Sequence, residues 1–152
     1  MTTGRPLSSL LRDSRGSMAI ETAIVAPVLA LLGLGAFQVS QVVARQHELQ
    51  TGADDAASMA LAGWDSDTGD TNVIKEVLKR TLSLSDSEVT ITPKFRCNSD
   101  TVYVNARADC ASDAIVTTYL RIELTDTYTP MWADFGVGEP VVYDVERTVL
   151  VS

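Results

Sequence analysis

Glu21 is a single carboxylate at the start of an otherwise uncharged apolar run. The next charged residue is Arg45, so residues 22–44 form 23 consecutive uncharged positions. As a helix with a rise of about 1.5 Å per residue they span about 34 Å, enough for a bilayer core of about 30 Å. A carboxylate at the edge of such a segment costs about 2–3 kcal/mol, and less near the interface. A plain anchor has no use for it, so Glu21 suggests charge pairing in a helix that packs against other helices.

Cys97 and Cys110 are the only cysteines. Their spacing is a weak metal signal, because no second cysteine pair or nearby histidine accompanies them. In an exported domain they are predicted to form a disulfide, which would stabilise the fold by about 3 kcal/mol in the chain-entropy model. Two reduced, buried thiols are the alternative.

The sequence gives little support for an enzyme. The single histidine, His47, falls just past the apolar run and is interpreted as an interfacial helix residue, not as a catalytic base. Ser-His-Asp or Cys-His chemistry would have to use that one imidazole, and no glycine-rich phosphate loop precedes a helix. Asp65, Asp67, Asp70 and Glu76 approach the spacing of a calcium loop, but Gly69 and Asp70 stand in the reverse order for one. We therefore expect a solvated acidic turn, no metal, no cofactor and no catalytic residues.

The charges are segregated along the chain. Residues 1–16 carry Arg5, Arg12 and Arg15 against Asp13, whereas the rest has 9 basic and 19 acidic residues and a net charge of −10. Arginines ahead of an apolar run place the N-terminus in the cytoplasm by the positive-inside rule, with the acidic remainder outside. An acidic exported domain argues against nucleic acid as a partner. The expected division is a leader at 1–16, a transmembrane helix at 17–45 and an extracytoplasmic head at 46–152.

Two helices are predicted to position these groups. Nothing stops a helix decisively between Ser17 and Ala62, and Pro27 is tolerable as a kink within a membrane. After Arg45 the pattern becomes amphipathic, with small residues at helical spacing that suit close helix–helix contact. A second helix is predicted at residues 71–83, with Asp70 as its cap.

The rest of the chain is strand-like. Strands are predicted at residues 88–95, 101–109, 116–126 and 141–151, with Pro93 marking an edge strand. Two helices followed by four strands, without crossover helices, indicate an α+β fold with a four-stranded antiparallel sheet. One face of that sheet should bury the outer half of the long helix. Four residues are equally consistent with an exposed contact surface and with core packing against the sheet: Trp64, Met131, Trp132 and Phe135.

Residues 16–21, Gly-Ser-Met-Ala-Ile-Glu, resemble the processing site of type IV pilins and pseudopilins. In those proteins a membrane peptidase cuts after the glycine, and the glutamate is the fifth mature residue. The wider N-terminal segment resembles the TadE-like family of the tight adherence system. Gly16, Glu21, Pro27 and the run from Gln46 to Ala62 match its pattern, and the tail from Tyr128 through Gly138 matches loosely. Thr22 departs from it, because these pilins usually carry an aromatic residue there.

The resemblance implies a type IV pilin-like fold and a non-enzymatic role in pilus assembly or tip initiation. It implies cleavage between Gly16 and Ser17 and, as partners, the prepilin peptidase, related pseudopilin and major pilin subunits, and the inner-membrane assembly platform. Cleavage would give Ser17 a free amine, which Glu21 of the same or a neighbouring chain could pair with in a low dielectric.

Three alternatives stay open at this point. Glu21 could simply lie at headgroup depth, favoured by the helix dipole. A secretory signal cut near residues 33–36 or at Ala44 is disfavoured, because its apolar region is usually about 7–15 residues long. The whole chain could be a single-pass envelope protein whose head binds a ligand.

Overall fold

One helix, α1, occupies the first part of the structure. The computed structural model describes residues 14–64, 70–98, 100–136 and 138–152. Helix α1 runs from Ser14 to Gly63, continuing through Pro27, and agrees closely with the prediction. The chain divides into two compact units, Met1–Gln41 and Val42–Ser152, so α1 contributes to both. The predicted acidic turn falls largely at residues 65–69, outside the described residues.

Helix α2, Asn72–Leu82, is short and strongly amphipathic. Ile74, Leu78 and Leu82 recur every four residues and are buried, which places them on one helical face. Before the helix, the Asn72 amide donates to the Asp70 carboxylate at 2.8 Å, so Asp70 satisfies one of the free N–H groups there. The helix ends at Ser83, whose positive φ of 56° turns the chain and lets the Leu84 amide donate to the Lys79 carbonyl at 3.0 Å.

A three-stranded antiparallel sheet follows, in the order β1-β2-β3. The strands are β1 (Val89–Cys97), β2 (Val116–Tyr128) and β3 (Val141–Leu150). Pro93 lies on β1, an edge strand as predicted, where it faces Leu120 of β2. In β2 the buried residues alternate with more exposed ones, as expected for a sheet with one face in the core.

The predicted fourth strand at residues 101–109 is wrong. Of this segment, only Val104 forms a β-bridge, exchanging two hydrogen bonds of 3.0 and 2.8 Å with Phe95. The last residues of the segment form a short 3-10 helix, Arg107–Asp109. The alternating pattern relied on Ala106 and Ala108, which offer little apolar area to bury, and Val102 is 70% exposed. The segment is instead part of a loop that the Cys97–Cys110 bond ties to the end of β1.

The core lies between the sheet, α2 and the outer part of α1. From α1 come Leu49, Ala53, Ala56 and Ala60, at spacings of three and four residues that form one stripe. They pack with α2 and with the buried side chains of the strands, which include Val89, Leu120, Ile122, Leu124, Tyr143 and Val145. The alanines let the helix approach closely, as the small residues in the sequence suggested.

Candidate assembly helix and its attachment to the head

The part of α1 from Met18 to Leu34 is exposed on every side. Its large apolar residues spread around the helix at 45–71% exposure, for example Val28 at 52%, Leu29 at 61% and Leu32 at 66%. Exposing apolar surface to water costs about 25 cal/mol per Å², and this cost disappears when lipid or other apolar helices cover the surface. Within the described residues this is the one helix long and apolar enough to cross a membrane, judged by length and composition.

The predicted cleavage position lies at the start of this helix. Gly16 and Ser17 are part of the first turns of α1, and Glu21 is exposed one turn later. Glu21 shares a helix face with Met18, Val25 and Leu29, so its carboxylate interrupts an apolar stripe. A partner that covers this face would have to neutralise or hydrogen-bond that group.

Thr22 is accommodated by a local hydrogen bond. Its hydroxyl donates to the Met18 carbonyl at 2.8 Å, one turn back. This back-bond satisfies the hydroxyl within the helix, so the side chain brings no unpaired donor into an apolar environment. A threonine at this position is therefore compatible with membrane insertion.

A cluster around Arg45 attaches the outer part of α1 to the head. The Arg45 guanidinium donates from Nε to the Asp126 carboxylate at 2.6 Å and from Nη2 to the Leu82 carbonyl at 2.9 Å. A third bond, from Nη1 to Glu48 at 2.8 Å, stays within α1. One side chain thus joins α1, the last turn of α2 and the end of β2. Sequence reasoning missed this role, although Arg45 is the first charge after the apolar run.

Tyr143 forms a second attachment close by. Its hydroxyl donates to the Val42 carbonyl at 3.1 Å, and its ring is buried in the core. Burial raises the pKa of the Tyr143 phenol, because the phenolate would lose its solvation there. The bond needs the neutral phenol, since only that form has a proton to donate.

The two cysteines are joined as predicted. Cys97 ends β1, Cys110 follows the 3-10 helix, and their Cα atoms lie 5.5 Å apart. The bond holds together a loop whose own apolar contacts are few. Within this loop, the Tyr103 ring lies edge-on to the Tyr119 ring of β2, with 5.1 Å between the ring centroids.

Comparison with known proteins identifies the N-terminal segment. The family model for TadE-like protein matches residues 16–58. Residues 16–58, the TadE-like segment, are similar to this family. The match begins at Gly16 and ends within the part of α1 that packs in the head core, so it includes Glu21 and Arg45. No curated protein and no solved structure gives a match.

The TadE-like segment also contains His47, which is exposed on α1. Its backbone carbonyl accepts the Thr51 hydroxyl at 2.9 Å, and no described residue makes a hydrogen bond or ion pair with its imidazole. Among the described residues, no group of three His, Cys, Asp or Glu side chains is placed to hold a metal ion.

Three of the four residues predicted as either a contact surface or core have described side chains: Trp64, Met131 and Trp132. Trp64 and Trp132 are half-buried, and Trp64 packs against the core cluster. Met131 is 57% exposed beside Trp132. The backbone of Gly138 approaches the Trp132 indole so closely that an added Cβ would lie 3.1 Å from its Nε1 atom. The side chain of Phe135, the fourth residue of the predicted set, lies outside the described part of the structure.

Proposed function

We propose that this protein is a minor pilin or pseudopilin, a non-enzymatic subunit in the assembly or tip initiation of a tight adherence pilus. Its apolar helix would hold it in the inner membrane after cleavage and would then enter a bundle of pilin helices. The observation that carries the proposal is the TadE-like match, which begins at Gly16 and covers Glu21 and the exposed apolar helix.

The charge arrangement gives this proposal a mechanism. Cleavage after Gly16 would leave the Ser17 amine four residues before Glu21, one helical turn away. In a packed apolar bundle the attraction between the amine and the carboxylate grows as water is excluded, and breaking such a pair is costly. Pairing between neighbouring chains would set the axial register of their helices.

The topology is part of the proposal. The basic leader would stay in the cytoplasm and the acidic head would lie in the periplasm, or outside the cell once assembled. The disulfide suits an oxidising compartment of this kind. Partners would be the prepilin peptidase, a related pseudopilin, the major pilin and the inner-membrane assembly platform.

Processing is the first test. Membrane-extracted protein should begin at Ser17, as read by N-terminal sequencing and intact mass. Gly16→Phe should leave a full-length precursor in the membrane. Gly33→Phe is the matched control, because a Cβ at Gly33 has nothing within 4 Å; it should mature normally. Normal maturation of Gly16→Phe would rule out the site and favour a plain single-pass envelope protein with a ligand-binding head.

The role of Glu21 has its own test. Glu21→Gln should insert and fold like the unaltered protein, because the local cost of the carboxylate is modest at the membrane edge. It should reduce co-purification with other pilin subunits, and pilus yield, at equal protein level. Glu139→Gln, an exposed carboxylate in the head, controls for the loss of one charge. If Glu21→Gln assembles as well as the control, Glu21 is only a helix-start residue.

A further inference from the structure

The outer edge of β3 is open. Strand β3 lies at one end of the sheet, and no described residue pairs with its far side. Just beyond the end of β3, the Val151 amide donates to the Thr118 carbonyl at 3.0 Å, and this pair continues the register in which Leu150 lies opposite Tyr119. Bonded pairs recur every second residue in an antiparallel ladder, so the odd-numbered residues of β3 bond to β2. The backbone groups of the even-numbered residues, from Val142 to Leu150, therefore point away from the sheet.

A groove runs along this open edge. Gln46 and Gln50 of α1 form one wall, and the β3 residues from Asp144 to Arg147 form the other, around a space of about 340 Å³. Arg147 closes one end by binding Asp54 of α1 at 2.6 Å. The edge thus presents the unpaired backbone groups to which an added strand can bond, and the glutamine amides lie where alternate side chains of that strand would face them.

The outer face of this edge is acidic. Glu146 and Glu123 flank Arg121, and Glu146 binds it at 2.5 Å. Asp144 is exposed and makes no hydrogen bond or ion pair with any described residue. An incoming strand would place alternate side chains directly opposite Asp144 and Glu146, where opposite charges attract and like charges repel.

This charge pattern disfavours pairing with a second copy of the chain in the registers centred on residues 144–147 of β3. In a continuous antiparallel sheet, residues of one face must pair with residues of the same face. Pairing β3 with itself about Asp144, Val145 or Glu146 then sets acidic side chains opposite each other. Pairing about Arg147 sets two arginines opposite each other.

We propose that the β3 edge, in the groove beside Gln46 and Gln50, binds an extended segment of a different protein as a fourth strand. That segment carries Lys or Arg at two alternate positions, opposite Asp144 and Glu146. The side chains between them are short and polar, because they face the glutamine amides. This inference stands on the sheet edge alone and does not depend on the assembly role.

The test uses the full chain in a zwitterionic detergent. The probe is a capped, labelled peptide in which threonine alternates with lysine in its centre and with valine at its ends. The matched peptide has glutamate in place of lysine. Fluorescence anisotropy should show the lysine peptide binding about tenfold more tightly, since two attractive pairs become repulsive in the other peptide. Amide exchange should slow at even-numbered β3 residues when the lysine peptide binds.

Two variants test whether the peptide binds at the β3 edge. Asp144→Lys should abolish the preference for the lysine peptide without altering unfolding, because Asp144 has no described ion pair to lose. Thr148→Pro removes one outward N–H while sparing the bonds to β2, which is where an edge strand tolerates proline; it should weaken binding of the lysine peptide about tenfold.

Three results would overturn the proposal. Equal binding of both peptides would show that Asp144 and Glu146 do not select a basic segment. Slower amide exchange confined to elements other than β3 would show that the peptide binds elsewhere. Dimerisation of the chain through β3, seen as a change in oligomeric state that Thr148→Pro or Asp144→Lys alters, would make a second copy the occupant.

Discussion

Gly52→Ala is expected to change the sign of its effect according to the residue at position 82. Gly52 is buried where α1 passes the end of α2. A Cβ added there would lie 2.6 Å from Leu82 Cδ1, 3.0 Å from Cδ2 and 3.1 Å from Cγ. Ordinary carbon–carbon contacts are about 3.5–4.0 Å, so Leu82 would have to retreat by about 1 Å.

Two opposing terms decide the outcome. Replacing glycine by alanine inside a helix gains about 1 kcal/mol of helix propensity. Overpacking a core costs about 1–3 kcal/mol. Leu82 has little room to yield, because it is buried and its own carbonyl is held by Arg45 at 2.9 Å. The steric cost should therefore lie in the upper part of that range, at about 2–3 kcal/mol, so that Gly52→Ala lowers the free energy of unfolding by about 1–2 kcal/mol.

Removing the Leu82 side chain should reverse the sign of the Gly52→Ala effect on stability. Leu82→Ala alone should cost about 2–5 kcal/mol, as for other large-to-small changes in a core. In that background the three clashing atoms are gone, so Gly52→Ala keeps only its helix-propensity gain and should stabilise by about 1 kcal/mol. The coupling between the two sites should then be about 2–3 kcal/mol, within the range for residues in contact.

The assay is urea unfolding of the full chain in detergent micelles, followed by the fluorescence of Trp64 and Trp132. Both tryptophans are in the second compact unit, so they report on the head. Gly63→Ala is the control in the same helix, since a Cβ there has nothing within 4 Å; it should be neutral or slightly stabilising. The reasoning is refuted if Gly52→Ala stabilises the unaltered protein, or if its effect is the same with Ala at position 82.

Three further predictions concern the attachments of the head. Arg45→Met should lower the free energy of unfolding by about 2 kcal/mol in urea titrations, because the Leu82 carbonyl and the Asp126 carboxylate lose their donor; an unchanged midpoint would contradict this. The raised pKa of Tyr143 means that its contribution is present below its ordinary pKa of about 10 and is lost as pH rises through the folded value. The stability difference between Tyr143→Phe and the unaltered protein should therefore shrink at alkaline pH, and a constant difference would count against the Val42 bond. Thiol counting on denatured, unreduced protein should find no free cysteine, and reduction should cost about 3 kcal/mol of stability; two reactive thiols would refute the disulfide.

The periodicity of apolar residues correctly predicted those helices and strands that bury several large apolar side chains. Helix α2 and strands β1, β2 and β3 appear within a few residues of the expected bounds, because each supplies several large apolar side chains to one face. The segment at 101–109 has the same alternation, but with alanines at Ala106 and Ala108. Alternation alone does not form a strand when the residues on its apolar face have little surface to bury.

Features of the candidate site could be predicted only where they depend on residues close together in the sequence. The bond between Cys97 and Cys110 was predicted from their positions and compartment, and the TadE-like resemblance from a pattern that includes Gly16 and Glu21; cleavage at Gly16 and charge pairing by Glu21 stay predictions. The Arg45 cluster was not, since its partners Asp126 and Leu82 are far away in sequence and approach only when β2 and α2 pack on α1. The groove at β3 depends in the same way on which strand ends at the edge of the sheet.

Arg45 marks the boundary between two parts of α1 that require different surroundings. From Met18 to Leu34, the exposed apolar side chains are distributed around the helix, and lipid or other apolar helices would have to cover them. After Arg45, one stripe with Leu49 and Ala53 is buried while the opposite side is polar. Arg45 is not a free headgroup anchor, because its guanidinium is already bound to Asp126 and Leu82. Membrane insertion should therefore depend on the hydropathy of residues 22–44 and head stability on the Arg45 contacts, so the two properties should be separable by mutation.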